Sequence, residues 1–194
     1  MKYTKIPADT FKNLQLNAGV LLKSFDVDTQ TMAADSIVGA TSGGVSFTAV
    51  PSFIDFGEDI DNCPKNMKEL KRVDSWEAKI AGTFINADTK IAKSLCGAAD
   101  VGTSDGKVTP RNDLSDADFA DIWLVGDYSD KNGDKNGGFI AIHLMNALST
   151  GGFQLKTSDK AKGQFTFEYT AHYSMSAQDT VPFEIYIKAG TAEA

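Results

Sequence analysis

The stretch from 137 to 189 constrains this chain most, because it holds four short apolar runs in close succession, each bounded by turn residues. Gly137 and Gly138 precede Phe139, Ile140, Ile142 and Leu144. Gly151 and Gly152 precede Phe153 and Leu155, Gly163 precedes Phe165, Phe167 and Tyr169, and Pro182 precedes Phe183, Ile185 and Ile187. β-Branched and aromatic residues alternating with polar ones, punctuated by glycine, are the pattern of half-buried antiparallel strands. The expected strands cover 139–146, 153–157, 164–174 and 183–189, with the last one closing the domain.

The same pattern extends upstream. Leu70, Trp76, Ala78, Ile80 and Phe84 fall on one side of an alternation over 70–85, with Lys71, Glu77 and Lys79 on the other. Period two over that length predicts a long strand with one buried face. Val73 and Ile85 break the polar side. A strand is expected over 19–25 and another over 117–125, the latter ending in Ile122, Trp123, Leu124 and Val125. Residues 36–49 read as a hairpin, with Thr41, Ser42, Gly43 and Gly44 as its turn. Pro51 then either ends regular pairing or marks an edge strand. Asn132-Gly133 and Asn136-Gly137 mark a hairpin tip over 127–138, and 99–116 reads as a loop.

One helix is expected. Asp88 is its candidate N-cap, Ile91 and Leu95 share a face, and Gly97 stops it. The fold class is therefore mainly β (α+β), an antiparallel β-sandwich or barrel of about eight strands with one flanking α-helix. At 194 residues the chain reads as a single domain over 1–194, long enough to bury a full core.

Two segments stand outside this scheme. Residues 1–13 read as an extended N-terminal arm with an apolar contact at Phe11. Residues 51–67 read as a long loop in which Phe53, Ile54, Phe56 and Ile60 are set among Asp55, Glu58, Asp59 and Asp61. Four large apolar residues argue against disorder, and a loop of that length serves a function when it is ordered. Either these residues cap the core of their own subunit, or they insert into a neighbouring copy.

The charge balance, 26 acidic against 19 basic residues for a net −7, argues against a protein that grips nucleic acid. It is compatible with one that lets nucleic acid pass. No apolar run approaches a membrane span, and the leading residues lack an apolar signal core, so synthesis in a cytoplasm is expected. Cys63 and Cys96 read as free thiols there.

Several features resemble chemistry without supplying it. Asp130 begins a calcium-like run, but Lys135 stands where the loop glycine belongs and Ala141 where the bidentate acid belongs. Gly97 to Gly102 has the opening spacing of a phosphate loop, but Thr103 replaces the lysine and a helix precedes it. His143 and His172 lie within strand patterns with no nucleophile motif near them. Trp76 and Trp123 alternate as core residues do. No catalytic, cofactor or metal site is assigned.

The order and wording of the closing strands, together with the run from Ile6 through Phe11 to Leu22, resemble the major tail (tail tube) proteins of long-tailed bacteriophages and prophages. The resemblance implies a β-sandwich of the tail tube type and a structural, non-enzymatic virion protein. Its subunits would close into hexameric rings, joined edge to edge, that stack into a tube for viral DNA. It also implies tape measure, distal tail and tail terminator proteins as partners, no cofactor, no membrane, and a final place in the virion tail. On that reading Phe11, Phe53, Ile54, Phe56 and Ile60 are subunit-interface candidates, and Glu77 and Glu168 are lumen-facing candidates. A carbohydrate- or receptor-binding β-sandwich is the alternative, and an enzyme comes third.

Overall fold

The long alternation becomes the long strand pair of the molecule. In the computed structural model, which describes residues 15–128 and 138–188, strand β2 (Thr41–Asp55) pairs antiparallel with β3 (Lys71–Phe84). The arm 1–13 with Phe11, and residues 129–137 of the tip expected over 127–138, lie outside the described residues. Strand β1 (Gln15–Leu22) comes before this pair. After it follow helix α1 (Thr89–Cys96), β4 (Ala99–Val101), β5 (Val108–Pro110), β6 (Ala120–Tyr128) and β7 (Gly138–Ser149). The described chain closes with β8 (Gln154–Lys156), β9 (Gln164–Thr170) and β10 (Phe183–Lys188).

Eight of these strands form one hydrogen-bonded network folded into two layers. One layer runs β1-β6-β7-β10 and the other β2-β3-β9-β8. β7 links them: it pairs with β6 and β10 along its first part, then Leu148 and Ser149 pair with β9. Asn146, at φ +48°, marks the turn between layers. Leu21, Ile122, Ile142 and Leu144 from one layer meet Ala78, Ile80, Phe84, Phe167 and Tyr169 from the other in the main core. The expected mainly-β architecture with one flanking helix is the observed one.

A second, smaller core lies on the outer side of the first layer. There Leu22, Trp123, Phe139 and Ala141 are covered by Phe25 and Val27. Trp123 is thus buried, while Trp76 is half-buried with its ring 5.5 Å from that of Phe183.

The helix forms as its caps dictate. The Asp88 carboxylate accepts the Ile91 amide at 2.7 Å, Gly97 closes the helix at φ +74°, and Ile91 and Leu95 are buried on the sheet. Replacing Asp88 with alanine orphans that amide and is expected to cost about 1 kcal/mol. Thermal denaturation should show a drop of roughly 2–4 °C, and an unchanged midpoint would remove the cap from the account.

Three expectations are corrected. Thr41–Gly44 is not a hairpin turn. Gly43 and Gly44, at φ +82° and +86°, form a bulge inside β2, where three residues of β2 stand against one of β3 between the Thr41–Phe84 and Val45–Gly82 pairs. Pro51 does not end the strand, so the loop expected over 51–67 begins only after Asp55. The Trp76 amide points away from β2 and donates to the Tyr173 hydroxyl at 3.0 Å. The Pro51–Trp76 pair is therefore non-hydrogen-bonded, and the missing proline N–H falls on the open edge. Finally, the loop expected over 99–116 contains the β4–β5 pair. Arg111 holds it, gripping the Asp118 carboxylate at 2.6 and 2.8 Å and reaching Asp100 at 3.0 Å. Asp118 also caps a 3-10 turn over Asp116–Asp118, which delays β6 to Ala120.

A candidate assembly surface

β9 pairs with β3 only from Lys79 to Phe84, and the Ala171 amide reaches the Ala78 carbonyl just beyond. Past that point β2 and β3 run on as a two-stranded ribbon, 50–55 against 71–77, which ends in a tip over 56–70. The tip is built by hydrogen bonds. Asp55 accepts the Gly57 amide at 2.9 Å with one carboxylate oxygen and the Asn66 amide at 2.8 Å with the other. The Phe56 amide donates to the Leu70 carbonyl, and the Cys63 amide to that of Ile60.

These bonds, first that from Gly57 and then that from Asn66, hold the Asp55 carboxyl below its ordinary value of 3.8. A carboxyl whose pKa is depressed in the folded state contributes order above its ordinary pKa. That contribution is lost as pH falls from 3.8 through the folded value. The Gly57 and Asn66 amide resonances should therefore titrate together with a midpoint below 3.8. A midpoint at or above it would contradict the tip geometry.

Four of the five expected interface residues, all but Phe11, lie on this ribbon and tip. Phe53 is 51% exposed, Ile54 42%, Phe56 60% and Ile60 51%, and none belongs to either core cluster. They do not cap their own core. Val50, Val73 and Met67 join them as exposed apolar residues. Val73 is the direct cross-strand partner of Phe53, and the Lys71 ammonium lies 4.9 Å from the centre of the Phe53 ring. Val73 is the residue that breaks the polar side of the β3 alternation. A bulge at Asp74, where Ser52–Ser75 is followed by Phe53–Val73, shifts the face of everything beyond it.

Glu77 and Glu168 also come together, on the outer face of the β2-β3-β9-β8 layer. Lys79 lies between them, ion-paired to Glu77 and 3.5 Å from Glu168. Its ammonium pKa is raised, first by the hydrogen bond to Glu77. The two acids thus count as one net negative charge, and the face around them is small and neutral: Ser46, Ala81, Thr83, Gln154, Gln164 and Thr166.

His143 stacks flat on Trp123 with centroids 4.0 Å apart, between Asp121 at 3.2 Å and Glu184 at 3.5 Å. His172 donates through Nδ1 to the Asn146 carbonyl at 3.2 Å. Cys63 lies in the tip with its sulfur 3.4 Å from that of Met67, and Cys96 ends α1. Among the described residues, no three of His, Cys, Asp and Glu are placed to hold a metal ion. No helix there is long and apolar enough to cross a membrane. No protein-family model matches the chain, and no curated protein matches it.

Proposed function

We propose that this chain is a structural subunit whose product is its own assembly: hexameric rings stacked into a virion tail tube through which viral DNA passes. The observation that carries the reading is the ribbon and tip. A hydrogen-bonded extension that presents Phe53, Ile54, Phe56 and Ile60 to solvent is costly for a protein that stays alone. It is the expected form of a surface that another copy covers. Two edges add to this. Among the described residues β2 and β10 each pair on one side only, and an unpaired edge is a template for another chain. A heterologous contact that closes makes a ring, and one that repeats without closing makes a filament.

The net charge of −7 suits a lumen that does not hold phosphates. Glu77 and Glu168 remain candidates for facing it, with Lys79 moderating them. The family resemblance supplies the partners of this proposal, namely the tape measure, distal tail and tail terminator proteins. The alternative, a carbohydrate- or receptor-binding module, draws less support, because Trp123 is spent on a core and Trp76 on Phe183.

Sedimentation velocity across a wide concentration range tests the reading. The expected result is a monomer that gives way, through a sixfold species, to large particles. A monomer unchanged at every concentration would count against it.

A further inference from the structure

Near the Gly43–Gly44 bulge, at the opposite end of β2 from the tip, the two layers part around an apolar groove of about 320 Å³. Its walls are Ala18 of β1, Val45 and Phe47 of β2, Leu124 of β6, and Ile140 and Ile142 of β7. Gly19, Gly44 and Gly126 also line it and put no side chain into it. The apolar wall continues onto the open edge. Ile185 and Ile187 of β10 are the direct cross-strand partners of Ile142 and Ile140, share their face, and are half-exposed. Gln15 and Asn17 of β1 give it a polar rim, and among the described residues no charged side chain lines it, so its floor suits an apolar group.

The geometry points to the tip of a second copy as that occupant, with Phe53 and Phe56 seated between the layers. This inference rests on the reading of the chain as a self-assembling subunit, and it names what receives the tip. The sizes agree: an apolar cavity of about 150 Å³ holds one benzene ring, so 320 Å³ suits two phenyl groups. The chain cannot fill its own groove this way. Val45 and Phe53 stand on one paired strand, eight residues or about 26 Å apart at the usual strand rise. Knob and groove therefore lie at opposite ends of one molecule, a heterologous arrangement that repeats head to tail along β2.

Two variants, each disabling one half, test the contact. Phe53→Ser with Phe56→Ser removes the knob and keeps the groove. Ala18→Arg obstructs the groove from an exposed rim position and keeps the knob. Circular dichroism and thermal midpoints establish that both fold, and Ala18→Ser serves as a neutral control. Each variant alone should need at least about a hundredfold higher concentration than wild type to form long assemblies. Mixed in equal amounts, they should form paired species, two copies or two rings deep, that do not extend.

Long assemblies from Ala18→Arg at the wild-type concentration would overturn the contact and leave the tube reading standing. A mixture no different from its components, or a wild type that never associates, would also overturn it. Wild-type assemblies that need both halves but have no lumen would overturn the tube reading alone. A photo-reactive phenylalanine analogue at position 56 gives a second readout. Cross-links to peptides around Val45 and Phe47 of another chain are expected. Cross-links confined to any other surface, residues 1–14 included, would overturn the assignment.

Discussion

Replacing Phe167 with alanine is expected to lower the unfolding free energy by about 3–5 kcal/mol. The ring is fully buried on β9, stacked on Phe84 with centroids 4.3 Å apart and 5.6 Å from Tyr169. Its far edge also fills the space over Gly82, its direct cross-strand partner. A Cβ placed on that glycine would lie 2.7 Å from Phe167 Cζ. The ring thus replaces a missing side chain on β3 as well as filling its own site. Alanine would leave a void floored by glycine backbone, which has no side chain to collapse into it. Because whole domains are stable by only about 5–15 kcal/mol, this is a large fraction of the total. Urea denaturation should show a lower midpoint with an unchanged slope, and the thermal midpoint should fall by roughly 6–20 °C. A loss below about 1 kcal/mol would mean that the two layers do not meet at this ring.

The second large effect separates assembly from stability. The double substitution Phe53→Ser and Phe56→Ser should leave the unfolding free energy within about 1 kcal/mol of wild type, since both rings are exposed and neither core includes them. Assembly should nonetheless fail. Each half-exposed ring has about 1–1.5 kcal/mol of burial still to gain, half the value for a fully buried phenylalanine. Two rings per contact then shift the association threshold by about a hundredfold. A variant that folds normally and stays small in sedimentation is the expected outcome. Tubes of normal length from that variant would remove the tip from the interface. Phe167→Ala should show the reverse order of effects, with stability lost first and assembly lost only as a consequence.

The contrast between these residues reflects what local sequence encodes. The alternation around Trp76, Ala78, Ile80 and Phe84 identified β3 because strand period is a local property, and the cap at Asp88 with the stop at Gly97 identified α1 for the same reason. The role of Gly43 and Gly44 was not local. Positive-φ glycines serve a turn and a bulge equally well, and only the partner strand decides between them. Pro51 belonged to an edge strand because its nitrogen faces away from β3, a fact set by pairing. The β4–β5 pair was invisible because strands of three residues carry no period, and because the salt bridges of Arg111 that hold them join separate parts of the loop.

The candidate site was legible to the same degree. Four apolar residues among acids marked a segment outside the alternating strands, and their exposure follows only from the structure. Val73 could not be assigned to it, because the bulge at Asp74 changes the face of the strand without changing its composition. Glu77 and Glu168 lie far apart in sequence, and their shared partner Lys79 follows only from the pairing of β3 with β9. The groove between the layers was beyond local reading for the same reason, since its walls come from four strands.

Negative-stain electron microscopy of the purified protein at high concentration tests the tube reading. Sixfold rings and hollow tubes of one uniform diameter are expected. Dispersed monomers at every concentration, or particles without a lumen, would contradict it.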